Sequence, residues 1–301
     1  PYQNTLICYP PLIACILLYL GIAKRYEPLL LVPIGFGVLL ANFPGGAMAV
    51  VQESINPEIA KYNILEIAKK FGIMNMLYYT LIKTGLLPPL IFMGVGAMTD
   101  FGPMLRNLKL AFFGAAAQIG IFTVLVSAIM LGFTPQQAGA LGIIGGADGP
   151  TAIYTSIILA PELLGPIAIA AYSYMALVPI IIPLVVKFSV TKAELKINMK
   201  QQDKLYPSKT EIKNLKLAKI IFPIALCAIV SILVPTATPL VGLLLFGNLV
   251  KEIGSDTSRL FSAASDTIMN AATIFLGLTV GATMTANSFL NAQTPLPTRK
   301  L

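Results

Sequence analysis

The chain has 301 residues, of which 56% are hydrophobic and 11% charged, with a net charge of +8 and neither His nor Trp. Soluble domains carry about 25% charge, so this balance belongs to an integral membrane protein, and the length suffices for about nine spans. The lack of His removes the usual proton shuttle and the commonest transition-metal ligand. Cys8, Cys15 and Cys227 stand apart in apolar runs and read as small core hydrophobes, not as a metal or redox centre. The basic residues sit in loops beside apolar segments, which suits membrane orientation better than nucleic-acid binding. No cleavable signal peptide is read, and a start at Pro1 without Met is expected of a fragment.

In chain order, apolar segments are predicted at about 6–23, 29–43, 85–99, 110–133, 138–160, 163–186, 219–235, 239–250 and 268–290. Several are short or broken by Gly and Pro, which membranes tolerate only where the freed backbone is buried in protein or lines a wet cavity. The stretch 52–84 carries Glu53, Glu58, Lys61, Glu66, Lys69 and Lys70 around Ile59, Ile64, Leu65 and Ile67. It is expected to be an amphipathic insertion outside the hydrocarbon. The run 187–218 is rich in lysine and reads as a solvated cytoplasmic loop. It divides the chain into a first membrane repeat with a linking helix, 1–186, and a second repeat, 219–301.

Lys24, Arg25, Arg106 and Lys109 add a constraint. If every segment crossed fully, these short basic loops would lie opposite the loop 187–218. If one broken segment, most simply 138–160, enters and leaves on the same side, all the basic clusters share a side. The charge pattern therefore points to a re-entrant or unwound 138–160, while leaving the membrane orientation open.

The two halves resemble each other. "PIGFGVLL" (33–40) precedes "IFMGVGAMT" (91–99), and "LLLFGNLV" (243–250) precedes "IFLGLTVGATMT" (274–285). Short Gly-interrupted segments at matching positions of two halves point to a transporter site at their interface. In the first half, Asp148 follows "GVGAMT" by about 50 residues. Its counterpart is expected beyond Leu301, so the second repeat reads as incomplete and a site at the repeat interface as incomplete with it.

Asp148 itself stands in "GIIGGADGPTAIYTS" (142–156), the one carboxylate between Leu110 and Pro161. An ionisable group inside a membrane segment is costly and is kept mainly to handle an ion, a proton or a substrate. Gly142, Gly145, Gly146, Gly149 and Pro150 disfavour a helix interior, so an unwound centre with free carbonyls is predicted. A helix restarting near Pro150 would aim its N–H groups back at Asp148. With Thr151, Thr155 and Ser156 nearby, the donors are hard oxygens suited to Na⁺ or H⁺. Two blander readings stand beside this one: a turn or N-cap aspartate at the water boundary, and a structural pair with a distant Lys or Arg. No Lys-Ser/Thr follows, so the glycines are not a phosphate loop. Tyr172 and Tyr174 lie two apart on a helix and face different sides; either is an anchor, a core phenol or a proton relay. Glu27 and Asp100 are read as structural, and Asn248, Asn270 and Asn287 as weak candidates for neutral oxygen ligands.

Five blocks closely resemble the β subunit of sodium-ion-translocating decarboxylases, the family of the oxaloacetate, methylmalonyl-CoA and glutaconyl-CoA decarboxylases. They are 27–42, 91–105, "GIIGGADGPTAIYTS", "APELLGPIAIAAYSYMALVPII" (160–181) and "FLGLTVGATMTANSFLNAQT" (275–294). The resemblance implies a primary sodium pump of the inner membrane. A carboxyltransferase α subunit loads biotin on a carrier, and the β subunit decarboxylates the carboxybiotin, exports Na⁺ and takes up a proton. It implies an all-α, elevator-like fold of inverted repeats with broken or re-entrant helices, assembled as homotrimers with a small γ or δ subunit. It places the essential aspartate on Asp148 and the functional tyrosine on Tyr174. The residues around Asp148 themselves offer Gly146, Gly149 and Thr151 as the further candidate Na⁺ ligands. Residues that receive biotin are not indicated. "PLPTRKL" departs from the family, which continues through two further helices, so the chain as it stands is expected not to pump. A secondary sodium- or proton-coupled carboxylate transporter without chemistry is the alternative. Which acid or acyl-CoA feeds the complex is a matter for the α subunit.

Overall fold

The computed structural model describes residues 9–51, 53, 56–198, 201, 202, 205 and 214–285, and every regular element among them is helical. Two helices open the chain, α1 (Tyr9–Ile22) and α2 (Pro28–Asn42). Then come α3 (Ile64–Phe71), α4 (Ile73–Leu77) with a π-helical turn Tyr78–Ile82, and α5 (Leu87–Met98). The middle of the chain forms α6 (Ala111–Met130), α7 (Pro135–Gly142), α8 (Gly149–Leu159) and the 26-residue α9 (Leu164–Ser189). After the basic loop come α10 (Leu215–Leu233), α11 (Thr238–Ile253) and, beyond a second π-helical turn Ala263–Ile268, α12 (Met269–Thr283).

The local reasons are visible in the sequence. Asn63 and Glu66 exchange side-chain and backbone hydrogen bonds, each 2.9 Å, and so cap the start of α3. Gly72, at φ +87°, ends it. Proline opens α2, α5, α7 and α11 in the first turn, where its missing N–H is no loss.

Leu108–Met130, Leu215–Leu233, Pro235–Ile253 and Ser255–Thr283 are each long and apolar enough to cross a membrane. Ile73–Ile82 and Leu87–Met98, bent by 62°, make a fifth span if taken together. The stretch 52–84 divides at Gly72. The amphipathic character holds for α3 and stops at Gly72, because Met74, Asn75, Tyr78 and Ile82 beyond it are buried. Asn75 donates to Ala49 O (2.9 Å) and Phe71 O (2.6 Å) and accepts from Val51 N (2.7 Å), so a polar residue sits inside at no hydrogen-bonding loss.

The centre of the molecule is a pair of helix crossings, α2 on α12 and α5 on α11. A Cβ on Gly37 would strike the Leu278 carbonyl, and one on Gly281 the Ile34 carbonyl. At the other crossing a Cβ on Gly247 would strike the Met93 carbonyl, and one on Gly96 the Leu244 carbonyl. Only glycine lets backbones come this close. Ile34, Val38, Leu276 and Val280 fill the α2/α12 side of the core.

Side chains close the helix ends. Asn42 donates to Met284 O at 2.9 Å, Asn248 to Thr99 O at 2.9 Å and Lys251 to Thr99 O at 2.8 Å. These bonds satisfy carbonyls freed at the ends of α12 and α5. Asn248 is thus spent on backbone carbonyls, and Asn287 lies outside the described residues.

The same contacts fix which loops share an end of the bundle. Lys219 pairs with Asp100 at 2.7 Å and with Glu252 at 3.5 Å, joining the start of α10, the turn after α5 and the end of α11. Hydrogen bonds from Lys219 and from Gly102 N–H hold the Asp100 carboxyl below its ordinary range, in keeping with a structural role. The segment leading through α12 leaves this end and meets α2 at the opposite one, through Asn42 and Met284. Lys24 and Arg25, before α2, therefore lie at the same end as Arg106, Lys109 and the basic loop.

Candidate functional site

Residues 135–162 fold back on themselves. Thr134 and Gln137 form a capping box that starts α7 behind Pro135. The same Gln137 donates from Nε2 to Glu162 Oε1 at 3.1 Å, clasping the beginning of the segment to its end. One turn further in, a Cβ on Gly139 would lie 3.1 Å from Leu159 Cδ1. The chain thus enters and leaves at one end of the bundle, the end away from the basic loops, as a helical hairpin. Its legs are 8 and 11 residues long, about 12 and 16 Å of rise. That is roughly half of a 30 Å hydrocarbon core.

The tip is unwound where the glycines predict. A short 3₁₀ turn, Ile143–Gly146, ends in Ala147, which is left-handed at φ 56°, ψ 39°. Asp148 is extended at φ −128°, ψ 107°, and its carbonyl receives the first bond of α8 from Ala152 N at 3.1 Å. Asp148 is half-buried at the head of α8, so N–H groups of the first turn face it. The Thr151 hydroxyl donates to Asp148 Oδ2. Among the described residues no Lys or Arg pairs with this carboxylate. Asp148 does occupy the N-cap position that the blander reading gave it, and among the described residues it lacks the cationic partner of the other.

Small residues let the legs pack: Ala140, Ala152, Ala160, Ile167 and Ala171 form a buried cluster, with Ile143, Ile144 and Tyr174 against it. Tyr174 therefore sits on the hairpin, near enough to feel the Asp148 charge, and its buried hydroxyl has no hydrogen-bond partner among the described residues. The Tyr172 side chain lies outside the described residues. Gly146 and Gly149 flank the carboxylate, as the sequence requires. Two neighbours were not singled out by sequence reasoning. Gly120 of α6 meets Gly145, whose carbonyl oxygen would be 2.5 Å from a Cβ there, and Ile121 packs on Gly146. A second glycine in the apolar helix α6, six residues after Gly114, was the signal for that contact.

The arrangement suits a small monovalent cation. The tip offers one carboxylate, one hydroxyl and backbone oxygens, and no group of three His, Cys, Asp or Glu able to hold a transition metal occurs among the described residues. A profile of the Na⁺-transporting oxaloacetate decarboxylase beta subunit family matches residues 7–296. The chain belongs to that family. A methylmalonyl-CoA decarboxylase subunit beta from Propionigenium modestum is 50% identical over 289 residues, covering 94% of this chain and 70% of its own. A probable oxaloacetate decarboxylase beta chain from Vibrio cholerae is 44% identical over 326 residues, covering 94% and 73%. A methylmalonyl-CoA decarboxylase subunit beta from Veillonella parvula is 46% identical over 288 residues, covering 94% and 67%. The family match spans the glycine crossings and the Asp148 hairpin alike, so both are parts of a sodium-transporting decarboxylase's membrane subunit.

Proposed function

We propose that this β subunit couples decarboxylation of carboxybiotin to export of Na⁺, with Asp148 as the carboxylate that holds Na⁺ and H⁺ in turn. The observation that carries the reading is a lone carboxylate, without a cationic partner among the described residues, at the unwound tip of a re-entrant hairpin. Thr151 Oγ1 and the carbonyls around Gly146 and Gly149 complete the oxygen set. Carboxybiotin, brought on a partner, supplies the carboxylate that leaves as CO₂ with uptake of one proton. Tyr174, whose buried phenol has a free hydroxyl on the hairpin, is the proposed relay for that proton. Partners are the carboxyltransferase α subunit, the biotin carrier and a small γ or δ subunit, with β as a homotrimer in the inner membrane.

The proposed architecture is two inverted repeats, 1–186 and 219–301, joined by the basic loop 187–218. Supporting it, Gly37 and Gly247 take equivalent places in the two glycine crossings, as do Gly96 and Gly281. Helices α5 and α12, matched in sequence, end at opposite ends of the bundle, and each follows a π-helical turn. Basic loops gathered at one end support a cytoplasmic position for that end, with the hairpin entering from outside.

The test is Asp148→Asn in the intact decarboxylase complex, which keeps size and one oxygen but loses the charge. Carboxyl transfer to biotin should continue while Na⁺-dependent turnover of carboxybiotin is lost. Sodium stimulation equal to wild type would remove Asp148 from the coupling. Since Na⁺ and H⁺ neutralise the same carboxylate, apparent Na⁺ affinity in the wild type should fall as pH drops through the site's titration.

A further inference from the structure

At the base of the hairpin lies a cavity of about 290 Å³, lined by Glu53, Tyr78, Tyr79, Lys83, Ile157 and Glu162, among others. It is not the Asp148 site. Thirteen residues of mostly helical chain separate Asp148's neighbour Gly149 from Glu162, about 20 Å. It opens at the end of the bundle opposite the basic loops.

The polar groups of this cavity are unequally matched. Lys83 is engaged: it pairs with Glu53 and stands over the Tyr79 ring, 5.1 Å from its centroid. Tyr79 in turn donates to Val51 O at 3.0 Å, so this pair is tied into the chain before α3. Glu162 accepts only from the neutral amide of Gln137 and has no cationic partner among the described residues. The cavity therefore carries one uncompensated negative charge. Independently, Tyr78 is 7% exposed and lines the same space, and its hydroxyl makes no hydrogen bond among the described residues. The hydroxyl is open to the cavity, where it is available to a guest. Tyr78 opens the π-helical turn, a device found at functional sites more often than in plain scaffold.

We propose that this cavity is an outer cation station, in which Glu162 and the Tyr78 hydroxyl hold a hydrated monovalent cation at the mouth of the hairpin. The inference rests on the reading of Asp148 as the transported ion's site and extends it to the route outside. The volume holds roughly ten waters at 30 Å³ each, enough for an ion that keeps part of its hydration shell. Lys83, pinned by Glu53 and Tyr79, limits the net charge to one, so the cavity concentrates cations without trapping them.

The experiment is sided ²²Na⁺ exchange by the intact decarboxylase complex in oriented proteoliposomes, with Na⁺ varied on one side at a time. Glu162→Gln should raise the half-saturating Na⁺ about three- to tenfold from the cavity side and leave the other side unchanged. Tyr78→Phe should move it in the same direction by less, and Glu162→Asp should restore most of the wild-type value. Gln137→Ala, which breaks the clasp but keeps the Glu162 charge, should leave it unchanged. So should Glu58→Gln, which removes an exposed charge outside the cavity. An unchanged half-saturation in Glu162→Gln, an equal rise from both sides, or the same rise in Gln137→Ala would overturn the proposal. Normal exchange by Asp148→Asn would instead strike the reading on which it rests, a result the Glu162 variants do not imitate.

Discussion

At the crossings of α2 with α12 and α5 with α11, glycines lie inside unbroken helices. At the hairpin tip, Gly145, Gly146 and Gly149 flank a stretch with no helix at all. Neighbours and proline separate the two cases. Gly37, Gly96, Gly247 and Gly281 are embedded in long apolar runs whose backbone bonds remain intact, and the missing side chain is used for approach. At the tip, glycines cluster ahead of Pro150, the intervening Ala147 turns left-handed, and the missing side chains are used for conformational freedom. The first region is closed and satisfied; the second is held open around a charge.

The largest expected effect belongs to the closed region. Gly96→Ala forces a methyl against the Leu244 carbonyl, a backbone group that cannot rotate away. Overpacking of this kind costs about 1–3 kcal/mol, so thermal unfolding in detergent should show a clear loss. Gly114→Ala in α6, where a Cβ meets nothing within 4 Å, is the matching control. It should be neutral or stabilising by up to about 1 kcal/mol through helix propensity. If the two variants behaved alike, close approach would not be what glycine provides in the crossings.

The open region is tested next by Thr151. Thr151→Val keeps the shape and removes the hydroxyl that reaches Asp148, and it should raise the half-saturating Na⁺ about tenfold, or 1.4 kcal/mol. Thr151→Ser should stay near wild type. An effect on unfolding temperature instead of on Na⁺ dependence would make this threonine a packing residue like those of the crossings.

The smallest effect sharpens the contrast between a satisfied carboxylate and an exposed site. Asp100 is held by Lys219 and Gly102, and its titration is shifted down. It therefore stabilises the fold above its unfolded value, near pH 4, and that contribution is lost as pH falls from there through the lower folded value. The side chain is 52% exposed, so solvent screening keeps the contribution below about 1 kcal/mol. Asp100→Asn should lower stability slightly at pH 7 and flatten its decline in acid. Unchanged acid sensitivity would show that Asp100 is not one of the titrating groups.

The tip was legible because its signals are local: four glycines, a proline and one carboxylate inside fifteen residues. The return of the hairpin was legible only indirectly, from where the lysines and arginines fall. The bent span 73–98 was not. Tyr78, Tyr79, Thr80 and Lys83 lower its hydropathy, and their polar partners come from elsewhere: Val51 for the Tyr79 hydroxyl, Glu53 for Lys83. Such tertiary partners leave no local periodicity. Gly120 escaped notice for the same reason, since its partner, Gly145, is remote in sequence.

If Asp148 holds the transported ion as proposed, a tip with a single carboxylate and, among the described residues, no fixed counter-ion is neutral when it carries Na⁺ or H⁺ and charged when it carries neither. Moving a bare carboxylate through the centre of a bilayer costs about 2.5–3.5 kcal/mol even on the lenient insertion scale, so an unladen hairpin would be about a hundredfold rarer in mid-passage than a laden one. On that reading Asp148 would make the pump its own rectifier: slippage, the return stroke without cargo, would be discouraged by the electrostatics of the empty site alone.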